Sequence, residues 1–301
     1  MELQKLRGFY WAVQCGSFSE AAQKLYISQS AISHQIKALE QELGVKLFVR
    51  VGRGISPTPE GERLAHYARS ILHSIDDLET EFSELALQPH GTIRIAAFRG
   101  VAMFHLPWVV KRFRQQYPEV KLVLSGKTYD YDIIAAVSNG DADIGIASSW
   151  NEFEDVDYFE ILKYDMFVCT PLNHRWVGRQ APLSLNEIAE EPLMLYEKGT
   201  SIRRRIDEVF AKHGLNPEVP IEVSGFLALR EYVRIGLGIA IASGLMIADR
   251  TEDVIHALPV TDIFGQLGYG VVLRKGRYVS AALHAFMHAS GVPKEKIPTV
   301  V

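Results

Sequence analysis

The sequence predicts an α/β protein in three parts: a small basic helix-turn-helix unit, a long connecting helix, and a large portion that alternates strand and helix. Three observations predict this. Charge changes sign near Pro59: through residue 58 seven Lys and Arg stand against four Glu, and from 60 to 88 seven Asp and Glu stand against two Arg. A heptad seam fills the acidic stretch. From Gly91 onward, short apolar runs suited to strands are interleaved with apolar stripes at helical spacing. With 301 residues, 48% of them hydrophobic, the chain has material for a sizeable core, and its net charge of -4 excludes a protein that coats nucleic acid over its whole surface. No apolar run reaches the ~18 residues of a membrane span, and Glu2, Lys5 and Arg7 stand where an export signal would have its apolar segment, so a cytoplasmic location without a membrane partner is expected. Cys15 and Cys169 lie far apart in apolar surroundings and read as buried thiols; no metal and no cofactor is expected.

In the first part, residues 1–58, Leu6, Phe9, Tyr10 and Val13 give the first helix a buried face. Ser17-Phe-Ser-Glu20 is a capping-box sequence opening a short second helix, in which Ala21 and Ala22 let another helix approach closely. Tyr26-Ile27-Ser28 forms a turn, with Ser28 placed to cap the third helix. On that helix Ile32, Ile36, Leu39 and Leu43 share one face, while Ser30, His34, Lys37 and Gln41 point the other way and Ser33 lies at the flank. An outward face rich in donors and acceptors and poor in acids suits base edges in a major groove, and the free amides at its start favour a phosphate. Leu47 and Phe48 read as core anchors, and Arg50 and Arg53 sit on a Gly-rich hairpin, Val51 to Ser56, within reach of the flanking backbone or the minor groove. The alternative is a three-helix dimerisation module whose polar face is simply solvated.

In the connecting helix, residues 59–88, Leu64, Ala68, Ile71, Ile75, Leu78, Phe82 and Leu85 follow alternating spacings of four and three, the seam of a coiled coil and hence of a homodimer. The alternative is an amphipathic helix packed on its own domain. Gln88-Pro-His-Gly91 ends the pattern. Beyond it, Thr92 to Ala97, Val120 to Leu124 and Asp143 to Ala147 read as strands, and Leu106, Val109, Val110, Phe113 and Tyr117, then Ile133 to Val137, as helix. The phrase from Ala142 to Ala147 is loosely echoed from Leu237 to Ala242, each after an apolar helix, which hints at two similar halves.

The run from Phe18 to Arg50, followed by Thr58-Pro-Glu-Gly61, resembles the winged helix-turn-helix and linker start of LysR-type transcriptional regulators. Leu106-Pro107, Gly140-Asp-Ala-Asp-Ile-Gly145 and Val233 to Ile239 extend the resemblance over nearly the whole chain. Val233 to Ala242 and Gly268 to Lys275 resemble the subgroup that regulates cysteine biosynthesis and sulfur assimilation. The resemblance implies a homodimer or homotetramer joined through linker helices, bound to double-stranded promoter DNA beside RNA polymerase. It also implies an effector domain at 91–301, like periplasmic solute-binding proteins, with a small molecule held between two subdomains. The crossovers fall near Leu162 to Asp165 and Phe264 to Gly268, giving subdomain I as 91–163 with 267–301 and subdomain II as 164–266. By motif position Ser28, Gln29, Ser30, Ser33, His34 and Lys37 face DNA, and Arg50 and Arg53 lie in the wing; His34 departs from the arginine or lysine common at its place.

Four segments are expected at the cleft of such a fold, where strand ends meet helix starts. They are the first loop with Arg99, Gly100, Val101, Ala102 and Met103; Thr128; Ser148; and Thr200 with Ser201; Phe226 walls the second side. The bland reading of Thr200 and Ser201 is a helix N-cap, and that of Arg203-Arg-Arg205 a solvated surface. A first loop with few hydroxyls suits a larger, partly apolar, anionic effector whose carboxylate pairs with Arg99. The competing class is an α/β small-molecule enzyme with an N-terminal dimerisation module. There is no P-loop and no Gly-x-Ser-x-Gly elbow, Gly236-Leu-Gly238 lacks the setting of a dinucleotide fingerprint, and the i, i+4 pair His284 and His288 lacks a third metal ligand. No catalytic role is expected.

Overall fold

The computed structural model describes residues 1–52, 54–84, 89–148, 155–247 and 254–298. The chain forms two compact units, Met1–Ala86 and Leu87–Val301. In the first, helices α1 (Leu3–Cys15), α2 (Phe18–Lys24) and α3 (Gln29–Leu43) are followed by a hairpin of β1 (Phe48–Val51) and β2 (Gly54–Pro57), then by α4 (Pro59–Glu84). The 3.6-residue stripes meet in one core, where Leu6, Phe9, Ala21, Ile32, Ile36, Leu39 and Leu47 are buried. Gly16 ends α1 in the left-handed region at φ 61°, and its carbonyl accepts the Ile55 amide at 3.0 Å, which ties the hairpin to the helix end. Ser17 caps α2 by accepting from the Glu20 amide at 3.4 Å; of the expected capping box, this is the half formed among the described residues.

The start of α4 gives the Thr-Pro-Glu-Gly phrase a physical reason. The Thr58 hydroxyl donates to the Lys46 carbonyl at 2.7 Å and accepts from the Gly61 amide at 3.0 Å, while the Thr58 amide donates to the Leu47 carbonyl. A Cβ on Gly61 would stand 2.2 Å from that same carbonyl oxygen, so only glycine lets the helix start against the strand.

The second unit holds, in order, β3 (Gly91–Phe98), α5 (Arg99–Phe104), α6 (Leu106–Gln116), β4 (Val120–Lys127), α7 (Asp130–Ser138), β5 (Ile144–Ser148), β6 (Val156–Tyr164), β7 (Met166–Thr170), α8 (Leu185–Ala189), β8 (Leu193–Tyr196), α9 (Ser201–Lys212), β9 (Ile221–Val223), α10 (Phe226–Arg234), β10 (Ile239–Ser243), β11 (His256–Pro259), α11 (Thr261–Phe264), β12 (Leu267–Arg274) and α12 (Ala281–Ala289). They build two five-stranded mixed sheets of order β4-β3-β5-β12-β6 and β11-β7-β10-β8-β9. The chain leaves the first sheet after Tyr164, starts the second at Met166, and returns to the first at Leu267. The two echoed phrases fill corresponding places. β5 and β10 are the middle strands, each buried along its length, with a parallel neighbour on one side and an antiparallel one on the other. The pairing explains their Ile-Gly-Ile-Ala and Ile-Ala-Ile-Ala sequences, since a strand covered on both faces has no place for polar alternation.

Two details correct the sequence reading of side chains. Cys15 is only half-buried, whereas Cys169 is fully enclosed, and burial pushes its thiol up to about 12, which removes it from thiolate chemistry. The arginine triplet is divided by helical geometry. Arg203 is buried, donating to Asp207, Glu222 and the Tyr196 carbonyl, and Arg205 donates to the Phe264 carbonyl at 2.7 Å, so one of the three ties α9 to the second sheet and another ties it to α11.

His105, between α5 and α6, carries a pH prediction. Burial, then the Arg112 charge, holds its imidazole below its ordinary value, and its Nε2 is buried without a hydrogen-bond partner among the described residues. The unfolded chain therefore takes up the proton first as pH falls below about 6.5, so the stability present above that pH is lost on acidification. His105→Asn is expected to narrow the Tm difference between pH 7.5 and 5.5 by about 2 °C in scanning calorimetry. An unchanged difference refutes this assignment.

Candidate DNA-reading face and effector cleft

The turn before α3 places Tyr26 in the left-handed region at φ 55° with its ring 96% exposed. Ser28 then caps the helix, accepting from the Ala31 amide at 3.2 Å and bonding the Ser30 hydroxyl at 2.9 Å. These bonds give Ser28 a structural duty. Beyond it Gln29, Ser30, His34 and Lys37 are exposed and Ser33 half-buried, while Ile32, Ile36 and Leu39 are buried beneath them. Ser28 takes the Ala31 amide, and the positive end of the α3 dipole at the exposed Gln29 and Ser30 still favours a negatively charged group. The wing pairs Arg50 with Ile55 and turns at Gly52, φ 59°, with Arg50 exposed; Arg53 lies outside the described residues.

Along α4 the proposed seam divides. Ala68 is fully buried in its own unit's core beside Ala65, and Leu64 packs against the same cluster. Ala68 is therefore unavailable to a partner, and the own-domain reading holds for the first two turns, because spacing alone does not say which apolar surface a stripe meets. Farther on, Ile71 is 42% and Leu78 51% exposed, with Ile75 between them half-buried. The Phe82 side chain and Leu85 lie outside the description.

In the second unit the carboxyl ends of β3, β4 and β5 face the start of α9. There Phe98, Thr128, Asp130, Ser148, Ser201, Ile202, Leu267 and Tyr269 enclose about 10 Å³ of free space, no more than one water occupies. Thr128, Ser148 and Ser201 thus come together as expected. The rest of the set does not. Arg99 and Met103, one turn apart, are both exposed, because α5 turns Gly100 and Val101 inward to the core. Phe226 stacks edge-on against Phe104 at 4.8 Å, and Thr200 caps α9 through the Arg203 amide.

The charge in the cleft has the opposite sign to the one expected. Asp130, at the first position of α7, is 6% exposed. One carboxylate oxygen accepts the Ser148 amide at 3.0 Å, and the other accepts the Ser148 hydroxyl at 2.6 Å and the Ser201 hydroxyl. Phe98 and Tyr269 stack at 5.7 Å beside it, and Tyr164 meets Tyr269 edge-on. Burial, then the Asp130 charge, raises the Tyr269 phenol well above its ordinary value, so it stays a neutral hydrogen-bonding group. Next to Asp130, Tyr129 packs over Gly199 and stacks on Tyr131 at 5.0 Å, so a second contact joins the same two loops. Asp130 escaped the sequence reading because an acid in the first turn of a helix is ordinary.

On the far side of the same subdomain, His284 and His288 line an open groove with Arg112 and Lys294, and no group that could hold a metal ion occurs among the described residues. No helix among them is long and apolar enough to cross a membrane.

A helix-turn-helix with an exposed polar third helix, joined in one chain to a two-sheet domain with a cleft, defines a DNA-binding transcriptional regulator with an effector domain. The family models agree: the LysR substrate binding domain matches residues 86–290, and the lysR-family bacterial regulatory helix-turn-helix protein matches residues 3–62. The chain belongs to the LysR family. It is 31% identical over 284 residues to the HTH-type transcriptional regulator SsuR of Burkholderia cenocepacia, covering 93% of this chain and 92% of that one. It is 31% identical to the HTH-type transcriptional regulator cbl of Escherichia coli over 263 residues, 87% of this chain and 83% of that one. Among solved structures, the cofactor-binding domain of the Cbl transcriptional regulator aligns with a TM-score of 0.65 at 28% identity, over 70% of this chain and 92% of that one. Full-length CbnR complexed with its target DNA aligns with a TM-score of 0.70 over 96% of this chain and 99% of that one; at 20% identity it speaks for the fold alone.

Proposed function

We propose that the protein binds interrupted palindromic promoter sites as a homodimer or homotetramer and that a small molecule entering the cleft between its two sheets alters that binding. The observation that carries the reading is the exposed face of α3: Gln29, Ser30, His34 and Lys37 beside a capped helix start, on a chain whose net charge is -4. A local donor surface on an acidic protein has DNA as its natural partner. Gln29 and Ser33 read base edges, while Ser30, His34, Lys37, Arg50 and Arg53 hold the backbone. The seam of exposed Ile71 and Leu78 with half-buried Ile75 between them pairs two α4 helices, and the two α3 helices then enter successive major grooves about 34 Å apart. Promoter-bound protein meets RNA polymerase as a further partner.

An effector that binds one separation of the two sheets more tightly than another shifts the assembly between shapes and so the bend of its DNA, without turnover of the effector. The resemblance of Val233 to Ala242 and Gly268 to Lys275 to the subgroup that regulates cysteine biosynthesis and sulfur assimilation makes sulfur metabolites the first effectors to screen. The test is to incubate the full-length protein with fragmented genomic DNA of its source at moderate salt and sequence what is retained. A few promoter fragments sharing an interrupted palindrome are expected; absence of retention even at low salt overturns the assignment.

A further inference from the structure

We propose that Asp130 is a ligand the chain carries for its own effector cleft: its carboxylate fills the anion seat made by Ser148 and Ser201 and closes the cleft without a free anion. The inference rests on the effector-cleft reading above and concerns what the cleft admits. The seat has the donors an anion site needs, namely the Ser148 amide, the Ser148 hydroxyl and the Ser201 hydroxyl, and all three are directed at Asp130. Ser148 ends the middle strand of the first sheet, and Ser201 opens α9, which connects β8 to β9 of the second. The Asp130–Ser201 bond therefore spans residues 71 apart in sequence and links the two halves, and Tyr129 repeats the link by packing over Gly199.

The walls complete the argument. Phe98, Ile202, Leu267 and Tyr269 surround the seat, no Lys, Arg or His lines it among the described residues, and about 10 Å³ remains. A second anion placed here would share a low-dielectric site with a buried carboxylate, and two like charges at that distance strongly disfavour one another. Free anions are thus excluded while Asp130 stays seated. The effector that opens this cleft is a molecule without negative charge that donates a hydrogen bond to Asp130 in place of Ser201, lodging between the Phe98, Tyr164 and Tyr269 rings.

The test uses formate, which has the size and charge of the group that Asp130→Ala removes. Full-length wild type, Asp130→Ala and Ser201→Ala are melted in sodium chloride and in sodium formate of equal ionic strength. Wild type is expected to show the same Tm in both salts. Asp130→Ala is expected to lose about 5 °C in chloride, because three donors of the seat lose their acceptor, and to regain at least half of it saturably with formate. Ser201→Ala, which leaves the carboxylate in place, is expected to lose about 3 °C and to gain nothing from formate. The proposal is overturned if formate stabilises wild type as much as Asp130→Ala, or if folded Asp130→Ala gains nothing. Should Asp130→Ala fail to purify in chloride, a Ser201→Ala loss below about 1 °C overturns it. Retention of genomic fragments is read on the same wild-type sample. Retention with a failed formate response rejects the tethered carboxylate and leaves the regulator reading standing, whereas no retention rejects the regulator reading independently.

Discussion

Asp143→Ala is expected to lower the Tm of the Leu87–Val301 unit by about 6–20 °C. One Asp143 oxygen accepts from Arg277 at 2.7 Å, and the Asp143 carbonyl accepts from the other terminal nitrogen of the same guanidinium at 3.0 Å. The second carboxylate oxygen accepts the Arg94 amide at 2.5 Å, and the Asp143 amide returns a bond to the Arg94 carbonyl at 2.7 Å. Asp143 and Arg277 side chains are 6% and 5% exposed, so their attraction is hardly screened by solvent. Removing the carboxylate takes a countercharge from a buried guanidinium, a change worth about 3–5 kcal/mol, and each kcal/mol moves a unit of this size by roughly 2–4 °C. Arg94→Ala is the control: that guanidinium is 49% exposed and 4.0 Å from Asp143, so a shift under about 2 °C is expected. Calorimetry of both variants decides the matter, and equal shifts refute the buried-pair account.

Asp143 also shows what the sequence could and could not convey. Gly140-Asp-Ala-Asp-Ile-Gly145 was legible as a family phrase, yet its reasons are three-dimensional. Asp143 is held by an arginine 134 positions away, and a Cβ on Gly145 would stand 2.4 Å from Val272. The first unit was read more completely because its determinants are local: caps at Ser17 and Ser28, a 3.6-residue stripe, a glycine at the ends of α1 and α3. The α4 seam was half legible, since Ala68 and Ile71 follow one spacing although the first meets its own core and the second is exposed. In the cleft, the strand-end rule names hydroxyls that the fold brings together, while for Arg99 the rule gives a loop and not the face of α5, which turns that side chain outward. Asp130 was missed for the reason that gives it a role. Its partner Ser201 comes from the other half of the domain, and only folding brings a common helix-start acid to a hydroxyl 71 residues on.

Gln29→Ala and Lys37→Ala are expected to weaken DNA binding in opposite styles, and the contrast tests how α3 sits on the duplex. Gln29 opens the helix with its side chain exposed and no protein partner among the described bonds, free to present an amide to a base edge. Its loss should cost about 1–3 kcal/mol per half-site on the retained promoter fragment, a fall of roughly tenfold per half-site, and almost nothing on random duplex. Lys37, two turns farther along the same exposed face, offers charge alone. Its loss should weaken promoter and random DNA alike and flatten the plot of log K against log salt by about 0.9 for each phosphate released, hence about 1.8 in a dimer. His34 supplies the converse, because an arginine there adds a permanent charge to the same face: His34→Arg should tighten both duplexes and steepen the salt dependence. Fluorescence anisotropy over a salt series measures all three. If Gln29→Ala weakens promoter and random DNA equally, α3 grips the backbone at its start, and the reader of the sequence has to be sought elsewhere on the unit.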